Sequence, residues 1–150
     1  LDDAVNNVEA WQREGLEFVT ILDGRYPAAV REIHQAPPFL FAAGELRTED
    51  PAVSVVGSRK ASERGLKMAA AIADALVQRG LSVVSGLAEG IDAAAHTAAL
   101  RAGGRTVALI ATGIRRQYPA ENPPCSVGSR RRVCCCRSSG RTRPRRGTPS

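Results

Sequence analysis

Three segments rich in glycine and in polar or cationic side chains stand out as candidate ligand-binding turns. They are GSRKASERG at 57–65, SGLAEGIDAAAH at 85–96 and ATGIRRQYPAEN at 111–122. Glycine lets a backbone approach a bound group closely, and hydroxyl, backbone N–H and guanidinium groups are donors that suit phosphate oxygens. The residue types therefore predict phosphate binding, provided that the fold brings the segments together.

Each segment directly follows an apolar run that is typical of a buried parallel strand. These runs are Val53–Val56, Leu81–Val84 and Thr106–Ala111. Helical patterns separate them, one from an N-cap at Ser62 to Gln78 and the other from Gly90 to Leu100. The order βαβαβ predicts an α/β fold, half of a Rossmann-like doubly wound parallel sheet. Ligands of such sheets bind beyond the carboxyl ends of the strands, where all three segments fall.

The turn residues are the candidate phosphate ligands, and the third segment supplies candidate rim or base contacts. The phosphate candidates are Gly57, Ser58, Arg59, Lys60, Ser85, Gly86 and Gly90, and the rim candidates are Arg115, Arg116, Tyr118 and Asn122. For Gly57 and Gly86 the alternative is ordinary strand-to-helix turn chemistry. For Arg59 it is a solvated charge, and Tyr118 is placed either against a base or in ordinary packing.

Two residues of the second helix leave alternatives open. Asp92, near its start, either compensates the helix dipole or belongs to the site. For His96, one turn later, structural hydrogen bonding is favoured over catalysis because no serine, cysteine or carboxylate partner is evident. Trp11 and Phe39 are expected in the core.

The glycine spacing disfavours the common nucleotide cofactors. The first segment has neither GxGxxG nor GxxxxGK[ST], and no acidic residue closes the second strand as a dinucleotide ribose ligand would. All four cysteines lie at or after Cys125, three of them in a row, which suits neither a zinc site nor a disulfide framework. We therefore expect no cofactor and no metal.

The charge is unevenly distributed along the chain. All fifteen acidic and thirteen of the twenty-one basic residues precede Cys125, so residues 1–124 carry a formal charge of −2 and residues 125–150 carry +8. We expect a small α/β lead-in at 1–50, a partial Rossmann-like domain at 51–124 and a disordered Arg/Cys-rich tail at 125–150. Such a tail is compatible with a nonspecific nucleic-acid arm, but the cysteine run favours a frameshifted reading of GC-rich coding sequence.

Targeting signals are also missing from the sequence before the tail. Residues 1–124 contain no cysteine, no long apolar run and no basic segment followed by an apolar one. We expect a cytoplasmic protein without a membrane partner.

The three segments occur with the lead-in DGRYPAAVREIHQAPPFLFAAGEL and with GGRTVALI before the third turn. Over roughly residues 16–122 this combination resembles the DNA-processing protein A (DprA/Smf) family. The resemblance implies a cytoplasmic bacterial protein that binds incoming single-stranded DNA, helps to load the RecA recombinase in natural transformation, works as a homodimer and is not an enzyme. It places the phosphate-contacting turn at Gly57, Ser58 and Arg59, and a second glycine turn at Ser85, Gly86 and Gly90.

Beyond Asn122 the resemblance ends. The family continues with further strands and a basic, asparagine-bearing segment, whereas this chain has the Arg/Cys tail, so we expect half of the DNA pocket and the dimer surface to be missing. Two alternatives remain open. One is a nucleoside monophosphate glycosidase, for which Glu89 is the nearest carboxylate although a PGGxGT segment is absent, and the other is a nonfunctional truncated product.

Overall fold

The computed structural model describes residues 9–13 and 15–110 and the backbone of residues 132–137. The helices are α1 (9–13), α2 (Ala28–Arg31), α3 (Glu63–Gln78) and α4 (Ile91–Arg101). The strands are β1 (Leu16–Thr20), β2 (Phe39–Ala43), β3 (Ala52–Ser54), β4 (Ser82–Ser85), β5 (Thr106–Ile110) and β6 (Arg132–Arg137). The run from β3 to β5 is the βαβαβ unit that the sequence predicts.

All six strands belong to one sheet in the order β1-β2-β6-β5-β4-β3. Strands β3, β4, β5 and β6 are parallel to one another, and β2 is antiparallel to both β1 and β6. The parallel strands with their connecting helices confirm the predicted α/β fold class. The lead-in strands β1 and β2 extend the same sheet through β6.

Both ends of α3 follow from local sequence chemistry. The Ser62 Oγ accepts a hydrogen bond from the backbone N–H of Gly65 at 3.2 Å, which confirms the predicted N-cap. At the other end, Gly80 adopts φ +73° and its N–H donates to the carbonyl of Val77. A glycine in this left-handed conformation is the common way to stop a helix and turn the chain toward the next strand.

Small side chains fill the space between α3, α4 and the parallel strands. The buried cluster there consists of Val55, Ala69, Ala73, Val83, Ala95, Ala98 and Ala99. Because five of these seven residues are alanine, the helix backbones lie close to each other and to the sheet. The start of α4 is thereby held near the loop that leads into α3.

The lead-in packs on both faces of the β1–β2 pair. On one face the Trp11 ring lies edge-on to Phe41, with centroids 4.8 Å apart, and Phe18 lies 5.3 Å from Phe39. On the other face the fully buried Tyr26 donates its hydroxyl proton to the Pro37 carbonyl at 2.6 Å. Trp11 and Phe39 are thus half-buried members of an aromatic cluster rather than fully enclosed core residues.

Strand β3 lies at the edge of the sheet. All three of its residues are exposed, and beside it Val56 has 68% of its surface exposed. The prediction of a fully buried strand at Val53–Val56 is therefore wrong. A run of valines predicts a strand, but its place in the sheet depends on which other segments pair beside it.

Strand β6 lies within the segment predicted to be disordered. It pairs with β5 from Thr106↔Arg132 to Ile110↔Cys136 and with β2 on its other side. The prediction of disorder is wrong for residues 132–137, and the rest of 125–150 lies outside the described residues. Arginine and serine dominate the tail composition, but Val133–Cys136 is an apolar run, and the edges of β2 and β5 offer backbone groups that need partners.

A buried ion pair joins the segment after β2 to the parallel strands. The Arg105 Nε donates to Asp50 Oδ2 at 2.7 Å, and both side chains are largely buried, at 9% and 17% exposure. The Ser82 hydroxyl donates to the other Asp50 oxygen at 2.5 Å, and Arg105 Nη2 donates to the Glu45 carbonyl at 2.7 Å. One carboxylate therefore connects the N-terminal ends of β4 and β5 to the preceding loop.

Replacing Asp50 by alanine should destabilise the fold strongly. The substitution leaves the buried Arg105 guanidinium without its counter-charge, which costs on the order of 3 kcal/mol. Thermal unfolding followed by circular dichroism measures the loss. Glu63→Ala is the matched control, because it removes an exposed ion pair with Lys67 and should change stability by less than about 0.5 kcal/mol. Equal melting temperatures for the two variants would contradict a structural role for the Asp50–Arg105 pair.

Proline at position 135 tests the position of β6. Proline has no N–H, so Cys135→Pro removes a ladder hydrogen bond from a strand that is paired on both sides and should lower the melting temperature or abolish cooperative melting. Cys135→Ser keeps the N–H and controls for loss of the thiol. If the proline and serine variants unfold alike, residues 132–137 do not lie inside the sheet.

Candidate phosphate-binding site

Two of the predicted segments meet at the carboxyl edge of the parallel strands. We call residues 57–61, after β3, the Gly57 turn, and residues 86–90, after β4, the Gly86 turn. Because β3 and β4 are parallel neighbours, both turns lie at the same edge of the sheet. They are in direct contact, since the N–H of Ile91, which follows the Gly86 turn, donates to the Ser58 carbonyl at 3.2 Å.

Glycine is required at position 90 for two separate reasons. Gly90 adopts φ +79°, a left-handed conformation that side chains rarely adopt. A Cβ there would also collide with the Ser58 carbonyl oxygen and would lie 2.5 Å from that of Arg59. The backbones of the two turns can therefore approach this closely only without a side chain at position 90.

Gly57 serves the same contact from the other side. A Cβ on Gly57 would lie 2.7 Å from the Cγ1 of Ile91, the first residue of α4. Gly57 and Gly90 thus have a packing role, which for Gly57 agrees with the alternative of ordinary turn chemistry. That packing also holds the Gly57 turn in one place, which a ligand site needs.

The Gly57 turn places two cations at the surface just before α3. The Ser58 Oγ accepts a hydrogen bond from the Lys60 N–H at 3.1 Å, so this hydroxyl shapes the turn from inside. Arg59 and Lys60 are both exposed, and the N-cap Ser62 follows two residues later. The cationic side chains and the positive end of the α3 dipole therefore lie next to one another.

Ser85 lies inside the fold rather than at its surface. It is 2% exposed, and its hydroxyl donates to the Val55 carbonyl at 2.6 Å, which fastens the end of β4 to the chain after β3. The single hydroxyl proton is thus already used. In this arrangement Ser85 positions the two turns and presents no donor to a ligand.

Asp92 accepts from two N–H groups of the Gly86 turn. Its Oδ2 accepts hydrogen bonds from the N–H of Gly86 at 3.2 Å and of Ala88 at 3.4 Å, and the residue is 6% exposed. The geometry gives Asp92 a role that neither of the two alternatives named, which is to hold the turn itself together. A carboxylate here stands where an anionic ligand would otherwise accept from the same donors. Sequence reasoning missed this, although an acidic residue in the first turn of the helix was the available signal.

His96 is held by a buried hydrogen-bond chain one helical turn further on. The Thr106 hydroxyl donates to the Val83 carbonyl at 2.9 Å, so its oxygen accepts from His96 Nδ1 at 2.5 Å. His96 is 4% exposed and connects α4 to β5. The favoured structural interpretation of His96 agrees with these contacts. Glu89, by contrast, is exposed in the Gly86 turn.

Strand β5 runs parallel to β4 and ends at Ile110 at the same edge, directly before the third predicted segment in the sequence. The candidate rim residues of that segment lie outside the described residues: Arg115, Arg116, Tyr118 and Asn122.

Three further observations concern the part of the chain that the structure describes. None of its helices is long and apolar enough to cross a membrane. Over the same residues, no cluster of three or more histidine, cysteine or acidic side chains could hold a metal ion. Away from the turns, hydrogen bonds from Arg25 lower the pKa of the Asp23 carboxyl.

A family model described as DNA recombination-mediator protein A matches residues 17–132. The chain belongs to this family. The match confirms the resemblance to the DprA/Smf family that the turn motifs indicate, and it extends ten residues past Asn122, where the recognisable motifs end.

Relatives of known name agree with the family assignment. Protein Smf of Synechocystis sp. is 39% identical over 120 residues, which are 77% of this chain and 30% of that protein. DNA processing protein DprA of Streptococcus pneumoniae is 47% identical over 104 residues, which are 69% of this chain and 36% of that protein. The chain thus spans about a third of the length of these DprA/Smf relatives.

Solved structures from the family share the fold. The X-ray structure of DprA from Streptococcus pneumoniae has a TM-score of 0.71 at 38% identity, covering 81% of this chain and 44% of that one. A structure of DprA from Helicobacter pylori, described for its single-stranded DNA binding mode, has a TM-score of 0.64 at 21% identity, covering 81% and 55%. The second likeness concerns the fold alone.

Alanine at position 90 should damage the fold more than alanine at position 80. Both glycines have positive φ, so each substitution carries about 1 kcal/mol of backbone strain, but a Cβ at Gly80 meets nothing within 4 Å whereas one at Gly90 meets two carbonyl groups. We expect Gly90→Ala to lose at least about 2 kcal/mol more than Gly80→Ala, measured by thermal or urea unfolding. Similar losses in both variants would mean that the two turns are not in contact.

Proposed function

We propose that this chain binds single-stranded DNA by seating a backbone phosphate on the Gly57 turn, with Arg59 and Lys60 as its cations. The observation that carries the proposal is the fixed position of this turn. Gly90 and Gly57 hold it against α4, and its two cations are exposed beside the N-terminus of α3. A guanidinium can meet a phosphate with two parallel hydrogen bonds, and a helix N-terminus favours negative charge.

The Gly86 turn has a different part in this proposal. Because the Gly86 N–H already donates to Asp92, the Gly86 turn holds the neighbouring Gly57 turn in place. The phosphate itself lies on the Gly57 turn. Ser85 acts in the same way, through its bond to Val55. Of the predicted phosphate ligands, Gly57, Ser58, Arg59 and Lys60 form the contact surface, and Ser85, Gly86 and Gly90 hold it in place.

The charge distribution favours DNA binding through a small number of specific cationic side chains. Residues 1–124 carry a formal charge of −2, so binding cannot come from a general positive field of this part of the chain. Affinity that depends on phosphates falls with salt and tolerates any base sequence. We further propose Arg115, Arg116, Tyr118 and Asn122 as rim contacts, because β5 delivers the chain to the same edge.

Family membership supports the biological part of the proposal. The relatives are named as DNA processing proteins, and the Helicobacter pylori protein is described as binding single-stranded DNA. We propose that this chain takes part in DNA processing during natural transformation. We also propose that it corresponds to one part of longer family members that load RecA and form homodimers. We propose a binding role rather than an enzymatic one.

Arg59→Ala should weaken DNA binding without changing the fold. Loss of one bidentate phosphate contact should reduce affinity roughly tenfold. It should also make the plot of log affinity against log salt less steep, by about 1 in slope. Fluorescence anisotropy with a labelled oligothymidine, at low and moderate salt, measures both. Arg79→Ala is the control, because Arg79 is an exposed arginine at the far end of α3.

The tail needs its own control, since its arginines could bind DNA nonspecifically. Truncation before Cys125 would also remove β6 from the sheet, so the full chain is used, with Arg141, Arg143, Arg145 and Arg146 replaced by serine. Binding that survives this replacement and still falls with Arg59→Ala supports the proposed site. If the replacement alone abolishes binding, or if Arg59→Ala and Arg79→Ala have equal effects, the site is not on the Gly57 turn.

A further inference from the structure

The outer face of α3 carries a groove that begins where the Gly57 turn ends. The groove has a volume of about 490 Å³ and is lined by Glu63, Arg64, Lys67, Met68 and Ala71. These residues occupy the first half of α3, directly after the N-cap Ser62. The first lining residue, Glu63, therefore comes two residues after the end of the Gly57 turn.

Two large apolar side chains are exposed along this face. Met68 is 55% exposed and Ile72 is 43% exposed. They are four residues apart on one helix, so they lie on the same face, one turn above the other. The core contacts of α3 come from a neighbouring face, about 100° around the helix, where Ala69 and Ala73 are buried. Packing of the described core therefore does not explain the apolar character of the outer face.

Cations accompany these apolar residues. Arg64 is exposed one turn before Met68, and Lys67 is the residue next to it. The Lys67 Nζ pairs with Glu63 Oε1 at 2.6 Å, but both side chains are more than three-quarters exposed, and such surface pairs contribute little and exchange easily with another anion. With Arg59 and Lys60, four cations and one acidic residue lie between positions 59 and 68.

We infer that a bound single strand of DNA continues from the Gly57 turn along the outer face of α3, with phosphates against Arg64 and Lys67 and bases against Met68 and Ile72. The inference rests on the proposed function and extends it by giving the direction of the strand. Alternating apolar and cationic contacts match a polymer of flat bases and charged phosphates. A thioether packs favourably on the face or edge of an aromatic ring, which every base provides.

The test separates phosphate contacts from base contacts by using two probes on the full chain with the serine-substituted tail. One probe is a labelled oligothymidine, and the other is an abasic deoxyribose-phosphate oligomer of the same length. Arg64→Ala should weaken both probes about three- to tenfold and lower the salt dependence of each. Met68→Ser should weaken oligothymidine about threefold and leave the abasic probe unchanged.

Arg79→Ala is the matched control for Arg64→Ala, since both arginines are exposed, one in the first turn of α3 and the other at its C-cap. All substituted side chains are exposed, so unchanged melting temperatures are expected and are checked for every variant. An Arg64→Ala effect equal to that of Arg79→Ala overturns the inference, as does a Met68→Ser effect of the same size on both probes. If Met68→Ser changes only the sedimentation behaviour, the face contacts protein and the inference also fails.

The inference and the proposed function can fail independently. Loss of binding in Arg59→Ala together with normal binding in Arg64→Ala and Met68→Ser keeps the phosphate site and rejects the strand direction. Normal binding in all three variants rejects both.

Discussion

The close approach of the Gly57 turn to the start of α4 is the constraint on which the candidate site depends. The Ile91 N–H donates a hydrogen bond to the Ser58 carbonyl, and any side chain at position 90 would block this contact. The approach is possible because alanines fill the interface of α3, α4 and the sheet, which keeps the two helices close. A larger residue in that interface would separate the helices and with them the two turns.

Internal hydrogen bonds engage three polar side chains in or beside the two turns. Ser58 bonds Lys60, Ser85 bonds Val55, and Asp92 bonds the N–H of Gly86. A buried polar group without a partner is costly, so these bonds stabilise a tightly turned segment that secondary structure cannot satisfy. Arg59 and Lys60 are exposed on this turn, which agrees with the proposed binding of a flexible polyanion.

The sheet joins segments that the sequence separates by composition. Strand β6 lies between the lead-in strand β2 and the parallel strand β5, and the Asp50–Arg105 pair links the loop after β2 to the same parallel strands. Much of the fold is nevertheless predictable locally: the N-cap at Ser62, the glycine stop at Gly80 and the order of helices and strands follow from short-range rules. The edge position of β3 and the strand at 132–137 do not, because pairing depends on distant partners.

The sequence by itself determined the α/β class, the family and the two turns that follow β3 and β4, since periodicity, caps and turn glycines act within a few residues. Only the tertiary structure decided which candidate site residues are exposed and which serve as internal supports. It buried Ser85, gave Asp92 the Gly86 N–H, and left Arg59 and Lys60 at the surface. The physical reason is that hydrogen-bond partners and solvent exposure arise where separate elements meet, and residue types along the chain do not specify those meetings.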